Sequence, residues 1–298
     1  MSSTAFFIGK RTIELSHKDK ILFPKSRITK GELIDYYAMI APLIVPLIVD
    51  HPIAMQRYPD GITGEGFYQK DRGDYFPDWI KYAAIARLAK DKVTNYVICN
   101  DAATLVYLAN QAAITIHTWL SSIEKKNYPD RMVFDIDPPN ARAWPSVKML
   151  AKHLKTMLES HGLTPFVMTT GSKGLHVVVP LKQQQTFRQV YLFAQTIAQK
   201  CAQQQPELIT LNVRKEQRTN KIFIDILRNR WAQLTVAPYS VRAQEGAPIA
   251  TPLHWRELDT ATLKPQRYNI KNIKQRLAHI ADPWHDFYSK AGVIPTKR

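Results

Sequence analysis

The stretch RMVFDIDPPN, residues 131–140, sets two carboxylates two positions apart in an apolar run that ends at paired prolines. Side chains alternate faces along a strand, so Val133, Asp135 and Asp137 share one face while Phe134 and Ile136 share the other. Like charges held that close raise each other's pKa, and the arrangement calls for a cation or a basic partner. A D-x-D by itself also occurs on surface strands and turns. A second segment, KIFIDIL, therefore matters: Ile222, Ile224 and Ile226 form an apolar face and leave Lys221, Phe223 and Asp225 opposite. Three carboxylates from two strands, with no His or Cys ligands nearby in sequence, suit Mg²⁺ or Mn²⁺ bound together with substrate phosphates. A third segment, TTGSKGLH, has Gly171 and Gly174 to let the backbone approach a ligand, and Thr170, Ser172, Lys173 and His176 to offer donors. It has the character of a phosphate cradle in a hairpin, or of a plain Gly-rich turn. It is not a Walker A loop, since GxxxxGK[ST] is missing and no helix follows directly.

These side chains need elements to hold them. From Thr29 the pattern predicts an amphipathic helix, capped by Thr29 and by Glu32 three positions on, and fraying at Pro42. Residues 51–77 read as strand, Asp-Gly turn and strand, interleaving Arg57, Lys70 and Arg72 with Tyr58, Phe67 and Tyr68. That mixture suits bases stacked beside phosphates, and equally a half-buried hairpin with ordinary surface charge. The segment DAATLVYLANQAAITIHTWLSSI has the apolar spacing and alanine content of a core helix, with His117 near its C-terminal part as a satisfied core histidine. Helices follow from about residue 145 to 160 and from 187 to 203, with a strand-turn-strand between them at FVMTTGSKGLHVVVPL. The strand KIFIDIL and a Pro-rich irregular tail complete the chain, which shows no repeat and no long linker.

The composition bounds the reading. The 298 residues, 45% of them hydrophobic, suffice for one large core or two lobes, and exclude disordered and collagen-like classes. A formal net charge of +16, from 41 basic against 25 acidic residues, points to a polyanionic partner. The basic residues are dispersed, with no polybasic tail or anchored basic helix, so nucleic acid is favoured over a membrane surface. Cys99 and Cys201 stand far apart and outside any zinc spacing, which fits a reducing compartment and a cytoplasmic location. Neither the N-terminal stretch nor APLIVPLIV is long enough for a signal peptide or a membrane span.

VFDIDPP, TTGSKGLHVVVPL, KIFIDILRN and VAPYSVRAQEGAPIATPLHWREL occur in the order and spacing of a known family. Together they resemble the polymerase domain of bacterial ligase D, a member of the archaeo-eukaryotic primase superfamily used in non-homologous end joining. The likeness runs from DKILFPKSRITKGELIDYYAMIAP to the RLA at residues 276–278. The resemblance implies that Asp135, Asp137 and Asp225 are the metal ligands, and that Lys173 and His176, with Ser172 and with Thr170 where many relatives have Ser, form the nucleotide-phosphate motif. It assigns Arg218 and Arg242 to the triphosphate, His117 to the nucleotide pocket, and Phe67 and Tyr68 to the templating base. Lys20 and Lys30 match lysines that bind a downstream 5′-phosphate, in a DNA-binding region that also takes in His17, Arg57 and Lys70. His17 stands where relatives often have Asn, and Gln56 where some carry a basic residue, so the phosphate pocket departs somewhat from the family's pattern.

The implied fold is α+β and primase-like: mixed or antiparallel sheets flanked by helices, with the carboxylates facing a cleft. The implied organisation is a single catalytic domain over residues 1–298, without a K-x-D-G ligase motif or an evident nuclease module. The implied reaction is nucleotidyl transfer with two Mn²⁺ or Mg²⁺ ions, ribonucleotides preferred, on DNA gaps and ends bearing 5′-phosphates, with Ku and an ATP-dependent DNA ligase as partners. Two alternatives remain open at this stage: a replicative or plasmid primase, and a non-catalytic protein that bridges DNA ends.

Overall fold

The computed structural model describes residues 4–86 and 92–295. The chain opens with a hairpin, β1 (Thr4–Ile8) and β2 (Arg11–Leu15), then a short one, β3 (Ile21–Phe23) and β4 (Ile28–Thr29), leading into α1 (Lys30–Ile48). β5 (Pro52–Arg57), β6 (Phe67–Gln69), β7 (Tyr82–Ala86) and β8 (Val93–Ile98) precede α2 (Ala102–Asn110) and β9 (Ala113–Thr118). β10 (Arg131–Asp137), α3 (Trp144–Glu159), β11 (Phe166–Thr169), β12 (Leu175–Pro180), α4 (Phe187–Gln204), β13 (Ile209–Thr210) and β14 (Ile222–Asp225) follow. β15 (Thr235–Val236), β16 (Pro252–Leu253) and α5 (Ile273–His279) end the regular structure. The chain divides into two compact units, each assembled from three segments: Met1–Trp119, Leu234–Ala250 and Tyr268–His279, and then Leu120–Gln233, Thr251–Arg267 and Ile280–Arg298.

In the first unit the sheet runs β15-β9-β5-β8-β7, and β6 pairs with β5 as the expected hairpin, setting Gln56 opposite Tyr68 and Arg57 opposite Phe67. α1 and α2 pack on each other. The capping box at Thr29 forms: its hydroxyl accepts the Glu32 N–H at 3.2 Å, and the Glu32 carboxylate accepts the Thr29 N–H at 2.8 Å. The expected fraying at Pro42 does not occur, and the helix continues through Pro42 and Pro46 to Ile48. Each interior proline costs a helix about 3 kcal/mol. Both prolines face solvent, while Leu33, Ile34, Ile40, Ile44, Leu47 and Ile48 are buried; at about 1.5–3 kcal/mol each, their burial outweighs the two breaks. α1 is long and apolar enough to cross a bilayer, but half of it is buried inside the protein.

The single core helix expected over DAATLVYLANQAAITIHTWLSSI is instead a helix and a strand. α2 stops at Asn110, Ala112 turns through a left-handed conformation (φ 55°), and β9 begins at Ala113. Ile114, Thr115, Ile116 and Thr118 are β-branched, and such side chains fit a pleated surface better than a helix. His117 is therefore a strand residue.

The second unit is built on a sheet ordered β13-β14-β10-β12-β11-β16, antiparallel except for the β13/β14 pair. α3 and α4 run close to the expected bounds and pack on each other and against β12 and β10. Their buried faces, Val147, Leu150 and Leu154 from α3 and Val190, Ala194 and Ile197 from α4, are core residues with Phe134, Val177, Val179 and Ile224. The architecture is α+β, as the resemblance implies.

Candidate active site

β10 and β14 pair so that Asp135 lies directly opposite Asp225 and Asp137 opposite Phe223. β10 and β12 pair so that Asp135 also lies opposite His176. Directly opposed residues in an antiparallel ladder share a face, so His176, Asp135 and Asp225 form one row across three strands, with Asp137 two residues along. The alternation inferred from KIFIDIL and VFDIDPP holds, and Phe134 and Ile136 are buried on the other face.

The charges in this row are poorly compensated. Burial, then the neighbouring Asp135, raises the Asp137 carboxyl to about 6. Burial raises Asp225 as well, against the Leu227 N–H that donates to its Oδ1 at 2.7 Å and the Arg228 guanidinium 3.7 Å from its Oδ2. His176 Nε2 lies 3.3 Å from Asp135 Oδ1. Among the described residues no three His, Cys, Asp or Glu side chains are drawn together as a ready metal cluster. Asp135 faces His176, and Asp225 faces the Leu227 N–H and Arg228. The chemistry of the three aspartates fits a hard divalent ion: an all-oxygen set on strands, partly desolvated, with one carboxyl raised by burial and by the carboxylates beside it.

Two further side chains position this row. Arg218 lies 3.8 Å over the Phe223 ring and donates to the carbonyls of Asn212 (3.1 Å) and Val213 (3.0 Å); its charge lowers the pKa of both Asp137 and Asp225. Asn229, fully buried, was not singled out from sequence. Its amide accepts the Val133 N–H at 2.8 Å and donates to the Val133 carbonyl at 2.7 Å and that of Ile226 at 2.9 Å, tying β10 to the turn after β14. The available signal was its place in KIFIDILRN, directly after the carboxylate strand.

The TTGSKGLH turn joins β11 to β12 and differs from expectation in two respects. A Cβ on Gly174 would lie 2.0 Å from the Ile136 carbonyl oxygen, so the missing side chain admits the chain's own backbone rather than a ligand. Gly171 supplies a left-handed φ of 64° for the turn. Thr170 is not an open donor either. Its hydroxyl donates to the Gly174 carbonyl (3.2 Å) and accepts the N–H groups of Ser172 (3.2 Å) and Gly174 (3.1 Å), so it holds the turn closed. Lys173 is exposed at the tip, beside half-buried Ser172.

The first unit carries the remaining candidates. The β3–β4 hairpin brings Lys20 and Lys30 together: the Lys30 N–H donates to the Lys20 carbonyl at 2.8 Å. Lys30 is 5% exposed, and its ammonium donates to Ser16 Oγ (3.0 Å) and the Asn110 carbonyl (3.1 Å). Burial, then the charge of Lys20, lowers its pKa to about 8. Lys20 is exposed and paired with Asp60 at 2.7 Å, while exposed His17 sits at a left-handed turn, φ 48°, beside them. Phe67 and Tyr68 are 45% and 56% exposed on β6, and the Tyr68 ring lies 5.4 Å from buried His117. Arg57 donates to Gln111 O and Gln69 Oε1, both at 2.7 Å, and to Tyr75 Oη at 2.6 Å, so it braces the hairpin from inside; Lys70 projects from it. Arg242 is half-buried and close enough to Tyr58 to act on its phenol.

Residues 29–284 match the family model described as LigD, primase-polymerase domain. The chain belongs to this family. LigD primase-polymerase domains are nucleotidyltransferases, and the chain is an enzyme of that class. The structure described as the polymerase domain from Mycobacterium tuberculosis ligase D in complex with DNA is similar with a TM-score of 0.87 at 29% identity, covering 94% of this chain and 99% of that one. The multifunctional non-homologous end joining protein LigD of Pseudomonas aeruginosa is 35% identical over 280 residues, 92% of this chain and 33% of that protein. The bifunctional non-homologous end joining protein LigD of Bacillus subtilis is 30% identical over 277 residues, 93% of this chain and 44% of that protein. The chain thus spans less than half the length of these curated LigD relatives.

Proposed function

We propose that the chain is a metal-dependent polymerase of DNA end joining, adding nucleotides, ribonucleotides by preference, to a primer 3′-hydroxyl at gaps and break ends with a 5′-phosphate. The observation that carries this reading is the row His176, Asp135, Asp225 with Asp137 beside it, set by strand register in a chain of the LigD primase-polymerase family. In the reaction the 3′-hydroxyl oxygen bonds to the α-phosphorus of the nucleotide, the bond to the bridging oxygen breaks, and pyrophosphate leaves. Asp135, Asp137 and Asp225 would hold Mn²⁺ or Mg²⁺, two ions during catalysis, which lower the pKa of the attacking hydroxyl and offset charge on the leaving oxygens. His176 orients Asp135. Lys173 and Arg218 of the second unit neutralise the triphosphate, and Ser172 donates to it.

His117 and Tyr68 form the nucleotide pocket, with Phe67 and Tyr68 against the templating base and Arg57 and Lys70 beside the DNA backbone. Lys20 and Lys30, with His17, grip the 5′-phosphate. Lys30 supports this role because its ammonium is buried beside a second cation and meets neutral acceptors, an environment that an added phosphate dianion would complete. Sealing would fall to an ATP-dependent DNA ligase, with Ku as the end-binding partner; the relatives are named as multifunctional or bifunctional end-joining proteins.

A fill-in assay on gapped DNA with a 5′-phosphate, comparing rNTPs with dNTPs and Mn²⁺ with Mg²⁺, tests the reading. Extension should require the metal, favour rNTPs, and drop by at least a hundredfold in Asp137→Ala, while DNA binding stays near wild type because affinity comes mainly from Lys and Arg contacts to phosphates. Residual extension by that variant within about tenfold of wild type would remove Asp137 from the metal site.

A further inference from the structure

In the second unit an open groove of about 660 Å³ runs along α4 and draws on none of the residues assigned above. One wall is α4, with Leu192, Phe193 and Ile197, and the other is the C-terminal segment at Ile294 and Pro295. Both walls are held in place. The Phe193 ring meets the His161 ring edge-on with centroids 5.5 Å apart, and His161 Nδ1 donates to the Met157 carbonyl at 2.8 Å. The C-terminal segment is pinned at Gly292, whose N–H donates to the Pro180 carbonyl at 3.0 Å and whose carbonyl accepts the Lys182 N–H at 2.9 Å.

Gln185 lines the same groove and is 6% exposed. Its Nε2 donates to the Ile294 carbonyl at 3.4 Å, while its Oε1 is buried without a hydrogen-bond partner among the described residues. A carbonyl only accepts, so the contact to Ile294 fixes which amide atom is nitrogen and makes the orphaned atom an acceptor. A buried acceptor without a donor is costly and calls for an N–H or O–H. Gln189, four residues on, has the opposite arrangement. Its Oε1 accepts the Thr186 N–H at 2.8 Å and the Thr186 hydroxyl at 2.9 Å in the α4 cap, which leaves its amide hydrogens to donate.

We propose that this groove binds an extended, acidic and apolar peptide segment of a partner protein, with one peptide N–H donating to Gln185 Oε1 and one peptide carbonyl accepting from Gln189. An acceptor and a donor on one wall are the complement of a peptide group, which carries one of each. From Gln189 to Lys200 the helix runs about 16 Å, the span of about five residues of extended chain. Side chains alternate along such a segment, so its apolar residues meet Leu192, Phe193 and Ile197 while the others face outward. Charge selects the acidic class: Lys200 is exposed at one end, no Asp or Glu lines the groove among the described residues, and the chain carries a net +16. A single cation on an apolar wall suits a carboxylate-bearing peptide better than a phosphate backbone, which is gripped by several cations.

The test is fluorescence anisotropy on the full chain with labelled heptapeptides in which leucine or phenylalanine alternates with glutamate. Wild type should bind them saturably, and Leu192→Asp, Lys200→Glu, lysine in place of the peptide's glutamates, and N-methylation of the peptide backbone should each weaken binding by about tenfold or more. Gln189→Glu keeps the acceptor of the α4 cap but removes the donor, and should weaken binding likewise. Thermal melting midpoints of Leu192→Asp and Lys200→Glu should match wild type because both side chains are exposed, and extension on gapped DNA should be unchanged in both. Failure of every glutamate peptide to saturate overturns the proposal, as does binding that survives Leu192→Asp, since the peptide would then sit elsewhere. An N-methylated peptide that binds as well as its parent shows that water serves Gln185 and overturns the backbone pairing. Displacement of the peptide by a single-stranded oligonucleotide that itself binds less well to Leu192→Asp would reassign the groove to nucleic acid.

Discussion

Gly174 shows how one hydrogen in place of a methyl holds the site together. The turn after β11 lies so close to β10 that a Cβ would sit 2.0 Å from the carbonyl of Ile136, the residue between Asp135 and Asp137. Gly174→Ala must push either the turn or the strand aside, costing about 1–3 kcal/mol of stability. Extension should fall by more than the folded fraction falls, because Asp135, His176 and Lys173 shift together; urea unfolding and single-turnover extension on the same preparation separate the two effects. Lys30 makes a prediction of different kind. Its folded-state pKa of about 8 lies below the usual 10.5, so between those values the unfolded chain binds more protons than the folded one. Stability contributed by this residue is therefore lowest below pH 8 and rises as pH climbs toward 10.5. That rise should disappear in Lys30→Met when unfolding free energies are measured across the window. Preference for a 5′-phosphate over a hydroxyl end should weaken above pH 8, as the ammonium loses its proton. The carboxylates were legible in the sequence because strand alternation is local. Thr170 and Gly174 were not, because their partners are set by how closely two strands approach.

At the scale of elements, β10 is fixed at its start by groups other than its ladder. At its start Asp130 and Arg131 form a buried pair at 2.8 Å, joined by the Tyr288 hydroxyl from the C-terminal 3₁₀ turn (Tyr288–Lys290). Burial opposes the charge on Arg131, but Asp130 and Tyr288 more than offset it and hold the guanidinium well above its ordinary pKa. Asp130→Ala would leave Arg131 buried without its carboxylate and should cost about 3–5 kcal/mol. Tyr288→Phe should cost about 1–2 kcal/mol. Urea unfolding midpoints check both values. Removing Asp130 should also lower extension, since Arg131 begins the strand that presents Asp135 and Asp137. The α2–β9 boundary was missed from sequence for a related reason: Ala, Leu and Ile recur at helical spacing up to Ile116, and the β-branched run that argued for a strand is paired only once β5 and β15 lie on either side of it.

For the whole molecule the net charge of +16 makes the leading prediction. If six to ten phosphates are neutralised on DNA, affinity should fall by about 10³–10⁵ between 50 and 200 mM salt. Fluorescence anisotropy on gapped DNA measures this, and a flat response would take nucleic acid out of the reading. The candidates divide between the two compact units, with the carboxylate row, Lys173 and Arg218 in one and His117, Arg242, Tyr68 and the Lys20–Lys30 pair in the other. Each unit draws on three separate segments of chain, so no window of sequence contains either one.

Alone, the sequence determined the features that depend on near neighbours: the capping box at Thr29, the period-two placement of Asp135, Asp137 and Asp225, the two helices of the second unit, the basic balance, and a motif set specific enough to indicate the family. Tertiary structure decided which strands are adjacent and in what register, and hence that Asp135 faces Asp225 on one side and His176 on the other. It also decided that Lys30 is buried while Lys20 is not, and that α1 survives two prolines. The physical reason is the same in each case. Alternation, capping and charge are properties of residues a few bonds apart, whereas register, desolvation and the room available to a Cβ are set by surfaces that meet only when distant segments pack.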